Sequence, residues 1–270
     1  MKFMYWNLRK PPMQKLFQKL HKQLENQERY IPSVVNFLGY TMNVVDSASF
    51  LSQFKEIFID EIYKFSSVGN APVIYDIGAN LGMGTLYLKR CFPHSKIVAM
   101  EADPEIATVL ANNVEKNNLS NVTVIAKAAW VNDQGVSFSS DGADGGSILA
   151  LENCITVPSV SLRKLLESEP GCIDLLKMDI EGAEAMIVPD LLDVLTKVKH
   201  IFVEYHSWNN ESQQLDEILR TLTASGFRYY IQTIGNRRTP FINTDQHVPM
   251  DLQLNIFGHK ISDPIFRSEV

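Results

Sequence analysis

Two acidic residues, each at the end of an apolar run, could bind different parts of a nucleoside-containing ligand. Asp76 ends a run rich in β-forming residues and is followed at once by a glycine-bearing turn, and Glu101 ends the next apolar run 25 residues later. A carboxylate in the second position can accept hydrogen bonds from both ribose hydroxyls. Glycines let a ligand approach the backbone, because they carry no Cβ. The residues predicted to hold such a ligand here are Asp76, Gly78, Ala79, Asn80, Gly82 and Glu101.

The spacing of this turn argues against a pyrophosphate ligand. A dinucleotide-binding loop reads Gly-x-Gly-x-x-Gly, whereas this turn reads Asp76-x-Gly78-x-Asn80-x-Gly82. A carboxylate beside a pyrophosphate would repel it, but the same carboxylate favours a cationic group. S-adenosylmethionine has a ribose and an ammonium group and no phosphate, so we interpret the turn as a site for this cofactor. An NAD-dependent enzyme is the less favoured alternative.

A second group of polar residues follows two later apolar runs. Asp179 and Glu181 come directly after the fourth predicted strand, Ile173–Met178, and Glu204 and His206 end the fifth. The carboxyl ends of parallel strands meet at one edge of a sheet, so these residues are expected around one cavity. Carboxylates crowded beside a histidine have perturbed pKa values, as catalytic groups often do. The pattern predicts a reaction site.

His206 is the residue that we expect to act as general base, because its unperturbed pKa lies closest to neutrality. Glu181 or Glu204 could orient it or act in its place. Asp179 is expected against the methionine part of the cofactor. The alternative mechanism uses a divalent cation on Asp179 and Glu204, with Glu181 or His206 as a further ligand, since oxygen ligands suit magnesium. No dedicated ligand spacing is present, and we therefore predict no metal.

The order of these motifs resembles that of the FkbM-type methyltransferases, from about residue 37 to at least 206. The most specific piece is the run Lys-Met-Asp-Ile-Glu-Gly-Ala-Glu at 177–184. It is accompanied by the turn at 76–82, Glu-Ala-Asp-Pro at 101–104, Val-Ser-Leu at 160–162 and Val-Glu-Tyr-His at 203–206. The resemblance implies a class I S-adenosylmethionine-dependent methyltransferase. Family members with known activities mostly methylate hydroxyls of sugars or natural products.

Two departures from the family pattern concern the expected adenine pocket. The family usually has proline after the acid of the second strand, whereas Ala102 follows Glu101 here. After the third strand the chain has Lys127 and Ala128, followed by Ala129 and Trp130, where a smaller and more polar context is usual. Ala102, Lys127 and Ala128 are still the residues that we expect near the adenine ring.

The functional expectation is an O-methyltransferase that acts on a hydroxyl of a sugar, glycan or related natural product. Its partner would then be a small-molecule or glycan acceptor. A non-catalytic binding or scaffolding relative is the alternative. The complete set of acids at Asp76, Glu101 and 179–184 argues against that alternative.

The elements that position these residues alternate between strand and helix and end in two strands without a long helix between them. This order predicts an α/β doubly wound sheet with one reversed strand. The resemblance makes it a Rossmann-like class I methyltransferase fold with a mostly parallel seven-stranded sheet and helices on both faces. Residues 71–270 would form the catalytic domain. Residues 1–70 would form an N-terminal extension with an amphipathic helix over 13–30, a hairpin over 33–46 and a covering helix over 49–65.

Three further local predictions concern the parts around the sheet. Residues 136–139 are expected to form an extra edge strand. The helix over 183–198 should be kinked by Pro189, which cannot donate a backbone hydrogen bond. The glycine-rich loop Gly142–Ser147, together with residues 49–65 and 207–211, should determine acceptor specificity.

The composition excludes several functional classes. The net charge of the 270-residue chain is −6, although residues 1–30 contain seven Lys or Arg against two acids. The acidic remainder argues against nucleic-acid binding. No apolar run is long enough to cross a membrane, three scattered cysteines do not suggest disulfides or zinc, and no signal peptide is apparent, so we expect a cytoplasmic protein.

The helix over 13–30 should pack on its own domain or on a second subunit of a homo-oligomer; weak peripheral membrane contact is the alternative.

Overall fold

A seven-stranded sheet forms the centre of the computed structural model, which describes residues 10–139, 154–209, 211–235, 238–242 and 250–260. Its strands are β3 (Val73–Ile77), β4 (Lys96–Glu101), β5 (Val122–Ala126), β10 (Ile173–Met178), β11 (Val198–Trp208), β12 (Phe227–Thr233) and β13 (Met250–Lys260). Their order across the sheet is β12-β13-β11-β10-β3-β4-β5.

One strand of this sheet is reversed, as predicted. Strand β13 pairs antiparallel with both β11 and β12, whereas β11, β10, β3, β4 and β5 pair parallel. β10 is buried at every position and β3 at all but the first. Such continuous burial is typical of central parallel strands that are covered on both faces. The carboxyl ends of the parallel strands therefore lie together at one edge.

Helices cover both faces of the sheet, which confirms the predicted layers. Successive side chains of a strand point to opposite faces. Tyr75 and Ile77 accordingly pack with α5 (Leu162–Glu167), α6 (Glu184–Asp190) and α7 (Leu215–Ala224), while Ile74 packs on the opposite face.

The opposite face is covered mainly by the N-terminal part of the chain and by α3 (Met83–Cys91). The N-terminal part consists of α1 (Lys10–Leu24), the hairpin of β1 (Ser33–Phe37) and β2 (Tyr40–Val44), and α2 (Ser47–Phe54). The remaining helix, α4 (Pro104–Lys116), is capped by Asp103, whose carboxylate accepts hydrogen bonds from the amides of residues 105 and 106.

Stacked aromatic rings join the N-terminal part to α3. Phe17 of α1 stacks on Phe54, Phe54 stacks on Phe58 with ring centroids 5.0 Å apart, and Phe58 contacts Tyr87 edge to face. Aromatic pairs in these arrangements add to the stabilisation that burial provides. The basic side chains of α1 at positions 15, 19 and 22 remain exposed. Helix α1 therefore packs on its own domain. This is one of the two kinds of packing that were predicted for it.

Three predicted helices are shorter than expected. The helix predicted over 13–30 spans Lys10–Leu24. The helix predicted over 49–65 consists of α2 and one π-helical turn, Lys55–Ile59, and the chain turns at Glu61, which has a φ of +54°. The helix predicted over 183–198 ends at Asp190, directly after Pro189, and a separate 3-10 turn, Val194–Lys197, follows. Pro189 therefore lies at the end of a short helix and does not kink a long one.

The predicted edge strand lies outside the central sheet. Strand β7 (Val136–Ser139) pairs antiparallel with β8 (Cys154–Val157), and β6 (Ala128–Trp130) pairs parallel with β9 (Ser159–Ser161). These two small sheets adjoin the carboxyl end of β5. The loop Gly142–Ser147 lies outside the described residues. Among the helices that are described, none has both the length and the apolar character that crossing a membrane requires.

Candidate active site

A cavity of about 290 Å³ lies at the carboxyl ends of β3, β4, β10 and β11. Most of the residues predicted for the site line it. They are Asp76, Gly78, Ala79, Asn80, Glu101, Ala102, Lys127, Ala128, Asp179, Glu181 and Glu204. Residues of the N-terminal part, Ser52, Gln53, Glu56, Ile57 and Tyr63, cover the same cavity. Two predicted residues, Gly82 and His206, do not line it.

The turn after β3 can only be made with glycine at position 78. Gly78 has a φ of +75°, and a Cβ at this position would lie 1.7 Å from the carbonyl oxygen of Asp179. The amides of Gly78 and Ala79 both donate to the carbonyl of Met100. The turn is thereby fixed between β10 and β4, and its outer side faces the cavity.

Asp76 is buried beside this turn and forms an ion pair with Lys177, which was not predicted to be part of the site. Its Oδ2 accepts a hydrogen bond from the Thr85 hydroxyl at 2.6 Å, and its Oδ1 lies 3.4 Å from Lys177 Nζ. Lys177 Nζ also lies 3.5 Å from Asp179 Oδ2 and donates to the carbonyl of Gly78. Burial lowers the pKa of Lys177, but the Asp179 and Asp76 carboxylates raise it more. Lys177 therefore stays charged.

Glu101 is held rigidly at the end of β4. Its Oε2 accepts a hydrogen bond from the amide of Asn80 at 2.8 Å, and its Oε1 accepts one from the amide of Asp103 at 3.0 Å. Burial raises the pKa of this carboxyl to about 6, although the two backbone donors oppose the shift. Each oxygen retains a lone pair that can accept a ribose hydroxyl.

Gly82 has a packing role in this structure. It precedes α3 with a φ of +90°, and a Cβ there would lie 2.8 Å from the Leu110 side chain. The glycine therefore allows α3 and α4 to approach each other.

The lining residues fit S-adenosylmethionine. The Oδ1 atom of Asp76 is buried and, apart from its ion pair with Lys177, accepts no hydrogen bond from a described residue. A Cβ on Gly84 would come within 3.3 Å of the other oxygen. A carboxylate beside a glycine cradle suits a cationic amino-acid group. Met100, Ala102 and Phe138 give the other end of the cavity an apolar lining that suits a purine ring.

His206 lies behind the cavity wall and is paired with carboxylates through both ring nitrogens. Its Nδ1 lies 3.2 Å from Glu184 Oε1, and its Nε2 lies 3.6 Å from Glu181 Oε2 and 3.7 Å from Glu204 Oε1. Burial lowers its pKa, but Glu184, Glu181 and Asp179 raise it more, to about 10. An imidazolium in this position has no free nitrogen that could accept a substrate proton. The placement does not support the role of general base.

Glu181 and Glu204 present carboxylates to the cavity itself. Burial raises the pKa of each to about 8; the charge of His206 opposes this shift, and the charge of Asp179 adds to it. Glu204 Oε1 also accepts a hydrogen bond from Gln253 at 2.6 Å. These two carboxyls line the cavity, whereas His206 does not, so they are better placed than His206 to accept a proton from a bound substrate.

Among the residues that the structure describes, one group of side chains could hold a metal ion. Ligand atoms of Asp179, Glu181 and His206 lie within 4.8 Å of one another, so the geometry offers Glu181 and His206 as ligands alongside Asp179. A histidine ligand must be neutral, whereas His206 is held as a cation between carboxylates. A cation at this position would have to displace that proton.

Several residues of the site were not named individually from the sequence, among them Lys177, Glu184 and Tyr63. Lys177 and Glu184 are part of the run at 177–184, and Lys177 stands directly opposite Asp76 in the register of β10 and β3. A strand-pairing argument would have found this ion pair. Tyr63, whose ring lies 5.8 Å from Lys177 Nζ, comes from the N-terminal part and has no motif that marks it.

Comparison with known proteins identifies the family. The model of the methyltransferase FkbM domain matches residues 76–229, which is more than half of the chain. Methyltransferase 1 of Beauveria bassiana is 43% identical over 164 residues, and the match covers 52% of this chain and 66% of that protein.

Two further relatives have more specific names. The 2-O-methyltransferase NoeI of Sinorhizobium fredii is 28% identical over 155 residues, covering 50% of this chain and 63% of NoeI. The hexuronic acid methyltransferase AglP of Haloferax volcanii is 26% identical over 140 residues, covering 50% and 56%. The chain thus spans at most about two thirds of the length of these relatives. With the family model matched from Asp76, at the end of β3, to the middle of β12, the chain belongs to the FkbM methyltransferase family.

Proposed function

We propose that the protein transfers the methyl group of S-adenosylmethionine to a hydroxyl of a sugar, glycan or related natural product. The observation that carries the proposal is the presence of Glu181 and Glu204 in the same cavity as the Asp76–Gly78 turn. The turn suits the cofactor, and the two carboxylates can accept hydrogen bonds from hydroxyl groups of an acceptor. The names of two relatives, a 2-O-methyltransferase and a hexuronic acid methyltransferase, support a sugar acceptor.

When bound, S-adenosylmethionine supplies an activated methyl group, whose transfer to an alcohol oxygen leaves S-adenosylhomocysteine and releases the alcohol proton. Glu101 would accept the ribose hydroxyls, and Asp76 and Asp179 would lie against the amino-acid part. Ala102 and Ala128 would line the purine side of the cavity. Lys177 fixes the Asp76 and Asp179 side chains in position, since it is paired with both.

The chain must also orient the acceptor and take up its proton. Holding two reactants in line supplies much of the rate of a displacement reaction, and a positioned base adds to it. We assign the base to Glu181 or Glu204, whose carboxyls face the cavity. His206 stabilises their ionised forms through its positive charge, and so it supports the base without contacting the acceptor.

The acceptor side would be formed by the N-terminal part of the chain. Gln53, Glu56 and Tyr63 line the cavity opposite the strand ends. We therefore propose that residues 1–70 are an extension that selects the acceptor and that residues 71–270 form the catalytic domain.

The test is to incubate the protein with S-adenosylmethionine and a panel of methyl glycosides and to measure S-adenosylhomocysteine and methyl ethers by mass spectrometry. We expect a methyl ether with at least one sugar, and no product with one of the two variants Glu181→Gln and Glu204→Gln, namely the one that removes the base. Glu167→Gln, at the end of α5, is the matched control. Dialysis against a chelator should leave the rate unchanged; a loss that magnesium restores would establish the metal mechanism. Failure to bind S-adenosylmethionine at millimolar concentration would support the non-catalytic alternative.

A further inference from the structure

Glu184 is buried next to the reaction site but lines neither the cavity nor the protein surface. Its side chain is fully buried at the first position of α6. Both carboxylate oxygens accept hydrogen bonds from the backbone of the preceding turn: Oε1 from the amide of Ile180 at 3.0 Å, and Oε2 from the amide of Gly182 at 2.9 Å. Glu184 therefore holds the residues on either side of Glu181.

The backbone of this turn is strained at the residue that faces the cavity. Glu181 has a φ of +54°, and Gly182 has a φ of +107°. A left-handed conformation at a residue with a side chain is unfavourable and persists only where surrounding contacts hold it. The two hydrogen bonds to Glu184 are contacts of this kind, because they flank Glu181 directly.

Glu184 also acts on the Glu181 carboxylate through a second residue, His206. Its Oε1 lies 3.2 Å from His206 Nδ1, and His206 Nε2 in turn lies 3.6 Å from Glu181 Oε2. Glu184 is thus connected to Glu181 in two ways, through the backbone of the turn and through the imidazole ring.

We propose that Glu184 is a positioning residue that holds the Glu181 carboxylate at the point where the methyl group is transferred. It acts through the 180–182 turn and through His206, and it touches neither the cofactor nor the acceptor. The proposal rests on the proposed function, because it places Glu181 at the transferred methyl group. It gives the last glutamate of the run at 177–184 a role that differs from those of Asp179 and Glu181.

Two cofactor analogues test the position of Glu181 without a known acceptor. S-adenosylhomocysteine lacks the methyl group, whereas sinefungin carries an amine in its place, so a carboxylate at that point favours sinefungin. Calorimetry should show that the wild-type protein binds sinefungin at least about tenfold more tightly than S-adenosylhomocysteine, as expected for a charged hydrogen bond.

The variants distinguish positioning from a general structural role. We expect Glu184→Gln and Glu181→Gln each to reduce the sinefungin preference at least about fivefold while S-adenosylhomocysteine affinity stays within about threefold. The double variant should show no further loss, because Glu184 acts through Glu181. The control is Glu169→Gln, which removes another buried carboxylate, paired with Lys96 and Tyr75 away from the cavity; it should keep the preference.

Crystal structures with bound S-adenosylhomocysteine provide a second measurement. In Glu184→Ala the Glu181 carboxylate should leave its wild-type position, and in Glu169→Gln it should not. An unmoved carboxylate, additive losses in the double variant, or equal weakening of both ligands by Glu184→Gln would each overturn the proposal. Equal binding of the two ligands by the wild type would overturn the placement of Glu181, whereas a failure to bind S-adenosylhomocysteine would overturn the methyltransferase proposal itself.

Discussion

Lys177 Nζ lies 3.4 Å from Asp76 Oδ1, and the two side chains are 5% and 1% exposed. The two residues stand directly opposite each other on the neighbouring strands β10 and β3, beside the turn that follows β3. Lys177 also lies 3.5 Å from Asp179 and so stands between two carboxylates. Replacing one member of such a buried arrangement leaves the others without compensation.

Lys177→Met should therefore be strongly destabilising. Removal of one partner of a buried ion pair costs about 3–5 kcal/mol, and the free energy of unfolding measured in urea should fall by about that amount. Lys199→Met is the matched control, since Lys199 pairs with Asp174 at 2.8 Å but is 48% exposed. Exposed pairs contribute about 0–1 kcal/mol. Similar losses in the two variants would contradict this expectation.

Gly78→Ala should impair cofactor binding as well as stability. The new Cβ would collide with the Asp179 carbonyl, so the turn has to move, and S-adenosylhomocysteine affinity should fall at least about tenfold, or 1.4 kcal/mol. Gly226→Ala separates this collision from backbone strain. Gly226 has a φ of +81°, but no atom lies within 4 Å of the position that a Cβ would take, so this variant should lose stability alone, by about 1–2 kcal/mol. Calorimetry and urea unfolding measure both effects.

Cofactor affinity should depend on pH through Glu101. Its pKa is raised to about 6, and the ionised form is the one that can accept two ribose hydroxyls. Protonation below about pH 6 removes an acceptor, so the dissociation constant of S-adenosylmethionine should rise as pH falls, by up to about tenfold per unit. Titration calorimetry between pH 5 and 8 checks the sign. Glu101→Gln should bind weakly at every pH and lack the transition near 6.

Asp46 anchors the N-terminal part and should control stability at acidic pH. It caps α2 by accepting a hydrogen bond from the Ser49 amide at 2.9 Å and pairs with Arg29 at 2.8 Å. Burial raises its pKa, but these hydrogen bonds lower it more, to about 2. Its contribution is therefore present above the ordinary value of 3.8 and lost as pH falls toward 2.

At neutral pH, Asp46→Ala should reduce the free energy of unfolding by about 1–2 kcal/mol. The difference from wild type should vanish near pH 2. Asp193→Ala is the control, because Asp193 precedes a 3-10 turn without a side-chain cap. A pH-independent difference for Asp46→Ala would show that packing, and not the charged cap, is responsible.

The central sheet could be predicted from the sequence because its signals are local. Most of the parallel strands are apolar runs with an acid or a glycine turn at or near the carboxyl end, and strand ends of a doubly wound sheet must converge. The reversed strand β13 was expected because no long helix was predicted between it and β12. Convergence then brought Asp76, Glu101 and Asp179 to one cavity.

The state of His206 could not be predicted because it depends on three-dimensional neighbours. Its ordinary pKa, close to neutrality, made it the expected base, but against the effect of burial the neighbouring Glu184, Glu181 and Asp179 carboxylates raise its pKa to about 10, so it is a cation. The segment that covers the cavity, residues 49–65, was also only partly predictable. Helical spacing over 49–65 indicated a covering helix, but the turn at Glu61 that brings Tyr63 to Lys177 has no sequence periodicity.

The stacked rings that join α1, α2 and α3 restrict how ligands can leave the cavity. Phe54 and Phe58 are buried in the stack that extends to Tyr87, and exposing each costs about 1.5–3 kcal/mol. Moving the segment 49–65 away from the cavity would expose both rings together, so such a movement is a rare event. The N-terminal part therefore stays over the cavity, and we expect ligands to enter and leave without its displacement.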